Sequence, residues 1–81
     1  MKNQKQIGSK EIEQKYKLIS KYAIAQYEFE KIVGFKEAIR LTVEEKRKID
    51  GDKCLSEFTN SKLENLLFKL RYLYSRLKEK Q

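Results

Sequence analysis

Between Lys62 and Lys80 the chain sets Lys62, Lys69, Arg76 and Lys80 along one flank of a helical pattern, with Phe68 and Tyr72 beside them. Steps of seven and four return to one helix face. Two kinds of chemistry suit such a set. A row of cations neutralises phosphates or carboxylates. Rings next to the row stack on bases or fill a pocket on a partner protein. Phe68 and Tyr72 are i, i+4 neighbours, and so are Tyr72 and Arg76, which places a guanidinium within reach of a ring. These six residues are the candidate partner-binding set.

Catalytic chemistry has little to build on. Histidine is absent, which removes the commonest general base, the usual triad base and the commonest zinc ligand. Cys54 is the one cysteine. With no His to take its proton and no second Cys to share a metal, it reads as a small apolar residue packed beside Leu55 and Phe58. The stretch DGDKCLSEF starts like a calcium loop. Counted from Asp50, however, its fifth and sixth positions are Cys54 and Leu55, where a ligand and a glycine are needed. It reads instead as a turn, with Gly51 supplying a positive φ. The three glycines are isolated, so no phosphate-cradling loop exists. A DNA-reading helix after Gly51 would offer only Lys53 and Ser56 outward, beside Asp52 and Glu57, which is too short and too acidic for base recognition. Carboxylates mostly sit next to Lys or Arg, as in the helical pair Glu44 and Lys48. Glu30 alone falls in line with Ile12, Ile19 and Ala23, and it is expected to reach solvent, since Glu is rarely fully buried. No catalytic residue, metal ligand or cofactor is implied, and the chain is expected not to be an enzyme.

The elements that position the candidate set are helical. With 81 residues the chain makes one domain. It has no proline, 40% hydrophobic and 38% charged residues, a balance that favours long solvated helices over a sheet. Ser9 is a candidate N-cap for a first helix over about 9–33, with Glu11 and Glu13 in its first turn. That helix carries two apolar rows, Ile12, Tyr16, Ile19, Ala23, Tyr27 and Leu18, Tyr22, Ala25, Phe29, Ile32. Together they cover over half of its circumference. Such a helix needs neighbours on two sides, within the bundle or from a second subunit, so a homodimer stands among the expectations. Gly34 closes it.

Phe35, Ala38, Ile39, Thr42 and Ile49 share one face of a second helix over 35–49. The motif TVEE at 42–45 also reads as a capping box with Thr42 as N-cap and Glu45 reaching back, which would divide it in two. One helix is the preferred reading. A short helical turn over 53–58 presents Cys54, Leu55 and Phe58. Ser61 with Glu64 marks the start of a third helix over 61–80, whose leucines form one arc. The expected fold is all-α, a small three-helix bundle at 9–81, preceded by a flexible basic arm at 1–8.

The net charge of +7 sits at the two ends. Residues 1–10 hold Lys2, Lys5 and Lys10 and no acid, and residues 61–81 hold six bases against Glu64 and Glu79. Basic ends suit a nucleic acid, an acidic protein or solubility alone. The first ten residues lack an apolar stretch of a secretory leader, and no run approaches the ~20 apolar residues of a membrane span. A lone cysteine fits a reducing compartment, so a cytoplasmic protein is expected. Three readings of Phe68 and Tyr72 follow, in this order: packing or self-association, a protein partner, and nucleic acid. For the chain as a whole, the expected function is a non-enzymatic basic helical regulator or inhibitor that docks on a protein or nucleoprotein partner. Short, charged, His-free helical chains of this kind are common among phage and plasmid accessory proteins. The alternative is a nucleic-acid-binding accessory protein working through the basic N- and C-terminal segments.

Overall fold

A computed structural model describes the backbone of residues 2–80 and the side chains of residues 10–80. It contains helices α1 (Lys2–Val33), α2 (Phe35–Asp50) and α3 (Asn60–Glu79), with one 3-10 turn at Leu55–Glu57. No strand occurs among the described residues. The fold is an all-α three-helix bundle, as the periodicity predicts. Its extents are 53 × 21 × 18 Å, and α1, at about 1.5 Å per residue, runs along most of the long dimension.

Gly34 alone joins α1 to α2. Its N–H donates to the Glu30 carbonyl at 2.9 Å, and its own carbonyl accepts from the Ala38 N–H at 3.0 Å. One residue thus closes one helix and opens the next, at φ 92°, a conformation that only glycine adopts cheaply. Gly51, at φ 68°, ends α2 with its N–H on the Arg47 carbonyl at 2.9 Å.

α2 is a single helix, and Thr42 is not a cap. It is fully buried in mid-helix. Its hydroxyl donates to the Ala38 carbonyl at 2.9 Å and accepts from Gln26 Nε2 at 2.8 Å. Glu45 does not reach back to it but lies 3.2 Å from Lys48 Nζ. The capping-box match is local, and a Thr inside a helix can satisfy itself on the i−4 carbonyl instead. The true cap of α3 is Thr59, whose side chain accepts from the Lys62 N–H at 3.2 Å, so α3 starts ahead of Ser61. α1 likewise starts at Lys2 and not at Ser9, which lies within the helix. Residues 2–7 include several good helix formers and no proline, so nothing stops the helix there. The expected flexible arm at 1–8 falls where only the backbone from Lys2 is described, as part of α1, and the side chains of 1–9 lie outside the described residues.

The core gathers Leu18, Tyr22 and Phe29 from α1, Ala38 and Thr42 from α2, Phe58 from the connection, and Leu63, Leu66 and Leu70 from α3. Each large apolar side chain buried this way contributes about 1.5–3 kcal/mol. Phe29 stacks on Tyr74 with ring centroids 5.9 Å apart. Only one of the two rows of α1 faces this core. In the other, Ile12, Tyr16, Ala23 and Tyr27 are exposed and Ile19 is half-buried. Glu30 is exposed, as expected.

Cys54 departs from expectation, because it is exposed. It precedes the 3-10 turn in an extended conformation, with its N–H donating to Glu57 Oε1 at 3.0 Å. So short a turn directs only one side inward, and Phe58 and Leu55 take that side.

Candidate partner-binding groove

The leucine arc of α3 turns Leu63, Leu66 and Leu70 into the core. At about 100° per residue, the same geometry turns Phe68 and Tyr72 away from it. Phe68 is 71% exposed and Tyr72 60%, so packing within the chain is not their role. Between them and α2 lies an open groove of about 490 Å³, lined by Glu45 and by Phe68, Lys69, Tyr72, Leu73, Arg76, Leu77 and Lys80. Five of the six candidate residues meet there.

Lys62 does not join them. Its Nζ lies 3.1 Å from Asp50 Oδ2, and Lys53 Nζ lies 3.5 Å from the same oxygen. This cluster ties the start of α3 to the end of α2. The hydrogen bond from Lys62, helped by the charge of Lys53, holds the Asp50 carboxyl below its ordinary range.

Within the groove, Arg76 Nη1 donates to Tyr72 Oη at 3.3 Å. The Arg76 guanidinium lies 5.8 Å from the Tyr72 ring centroid, a cation–π distance. The hydrogen bond to Tyr72 raises the Arg76 pKa further, on a guanidinium that is charged at any ordinary pH. Among the described residues neither Lys69 nor Lys80 makes an ion pair. Glu45, the one acid lining the groove, is already engaged by Lys48. Leu73 and Leu77, both half-buried, supply an apolar lining. The groove therefore offers three cations and two rings around apolar contacts, which suits an anionic group attached to an apolar one. Among the described residues no cluster of three or more His, Cys, Asp or Glu could hold a metal ion. No helix there is long and apolar enough to cross a membrane.

Glu45, Leu73 and Leu77 escaped the sequence reading of this site. The leucines belong to the helix's core arc, and Glu45 joins only through the placement of α2. Elsewhere the connection is fastened to α1 by Lys15 Nζ, which donates to the Ser56 carbonyl at 2.8 Å, and by Asn60 Nδ2, which donates to the Glu11 carbonyl at 3.3 Å. The chain matches no protein-family model, no curated protein and no solved structure, so the case for function rests on the residues themselves.

Proposed function

We propose that this protein is a non-enzymatic regulator or inhibitor that docks on an acidic protein surface through the α2–α3 groove. The observation that carries the reading is the exposure of Phe68 and Tyr72 beside Lys69 and Lys80, which make no ion pair among the described residues. Aromatic and arginine side chains dominate binding energy where they enter a partner's pocket. Cations at the rim steer an acidic partner and speed its encounter. The cytoplasm fits this reading, since the exposed Cys54 thiol stays reduced there.

Nucleic acid is the second reading, favoured by the run Lys69, Arg76, Lys80 on one helix. Against it, Arg76 lies over the ring of Tyr72, and base stacking needs an open ring face.

The test uses the purified chain as bait at low salt, with each captured protein then purified and retested alone. Wild type is expected to bind one acidic protein directly. Phe68→Ala, or Lys69→Glu with Arg76→Glu, is expected to lose that binding while keeping the helical circular dichroism signal. Oligonucleotides are tested in parallel. If single strands or duplexes bind, with a steep salt slope that the charge reversals abolish, the nucleic-acid reading replaces the first.

A further inference from the structure

The outward row of α1 has a different character from the groove. Ile12, Tyr16, Ile19 and Ala23 step by four and three residues and Glu30 follows seven further on, with Tyr27 flanking, a heptad-like row. Ile12 is 55% exposed, Tyr16 66% and Tyr27 56%. Ile19 packs partly against the core and Lys31 Nζ lies 4.7 Å from the Tyr27 ring centroid, but the rest of the row stays largely open to solvent.

Charge selects the occupant. The chain carries +7, so a second copy is repelled by any surface that shares the excess. Residues 11–33 do not share it, since they hold four lysines and four glutamates. The groove on α3, by contrast, has Lys69, Arg76 and Lys80, and two such grooves repel each other. The neutral row is therefore the face where two copies can meet.

We propose that two copies of the chain associate through the outward rows of α1, packed antiparallel. Parallel packing would set Glu30 against Glu30 and leave Ala23 facing Ala23 across a gap. Antiparallel packing centred near residue 21 sets each Ile19 against the second copy's Ala23, large against small. It also brings each Tyr16 beside the second copy's Tyr27. The apolar area available is on the order of 400 Å² per copy, given about 150–250 Å² for each whole aromatic side chain. Over both copies that is about 800 Å², below the ~1,200 Å² where standard interfaces begin, so the dimer is a weak one.

Sedimentation equilibrium from about 5 µM to 1 mM tests this, in reductant so that Cys54 cannot cross-link. The mass is expected to rise from 9.7 kDa toward twice that value. Added salt should strengthen the association by screening the like net charges. Ala23→Glu and, separately, Tyr27→Glu should each return the monomer over the whole range. Both positions are exposed, so helicity should hold, and if one variant unfolds the other decides. Phe68→Ala should leave the association unchanged. A constant 9.7 kDa mass in wild type overturns the proposal. So does an association that survives both glutamates, or one that Phe68→Ala removes.

Discussion

α1 and α3 each carry more apolar surface than the core takes up, and they differ in what surrounds the excess. On α3 the surplus rings, Phe68 and Tyr72, stand among Lys69, Arg76 and Lys80. On α1 the surplus row runs through a segment of balanced charge. Two surfaces of similar apolar content therefore differ in charge, and the two proposals assign them different partners, an anionic one on α3 and a neutral one on α1. Charge around a patch, more than the patch itself, sets what can sit on it.

The comparison is sharpest on α1 itself, where the buried and exposed rows lie side by side. Phe29→Ala removes a fully buried ring and should cost about 3–5 kcal/mol, most of the stability of so small a domain. Tyr27→Ala should change it by less than about 0.5 kcal/mol. Urea melts of both variants check this, and a large loss in Tyr27→Ala would mean that the outward row is core.

Next in size is Thr42→Val, which leaves the half-buried Gln26 amide without its acceptor and should cost about 1–3 kcal/mol by the same measurement. If it costs nothing, the Gln26–Thr42 bond does not help hold α1 to α2.

Asp50 gives a smaller, pH-dependent effect. Its folded pKa lies below its ordinary value near 3.8. The stability it supplies is therefore complete above that value and is lost as pH falls through the folded pKa. Lys62→Met removes the main cause of the shift, so the variant should lose less stability than wild type on acidification from about pH 4 to pH 2. Urea midpoints across that window test it. An unchanged acid limb would mean that Lys62 is not held by Asp50 in solution and is free to join the strip.

The smallest effect is expected at Phe68→Ala, less than about 0.5 kcal/mol in stability. A loss well above that would turn the groove into core and erase the contrast between the two helices.

Much of the fold was readable because helical spacing and glycine stops are local. Gly34, Gly51 and the leucine arc of α3 needed no tertiary knowledge. What stayed hidden depended on where α2 lies. The two rows of α1 have similar spacing, and only α2 and α3 decide which one is covered. Thr42 sits in a good capping motif, yet a bond to Gln26 across the bundle fixes its place. Lys62 looked like one end of the basic strip because spacing cannot reveal an acid from another helix. In the groove, five residues were legible from their shared face on α3, whereas Glu45 required α2 to be in place.

The one-residue link at Gly34 also bears on the order of assembly. Closing a short loop costs little chain entropy, so α1 and α2 can meet while the rest of the chain is still unfolded. α3 must wait for the 51–59 connection to fold back and dock Phe58. The chain therefore has the makings of a fast folder of low contact order, nucleated at the α1–α2 hairpin and completed by α3. α3 brings the fully buried Leu63, Leu66 and Leu70, so the hairpin completes its core only when α3 docks.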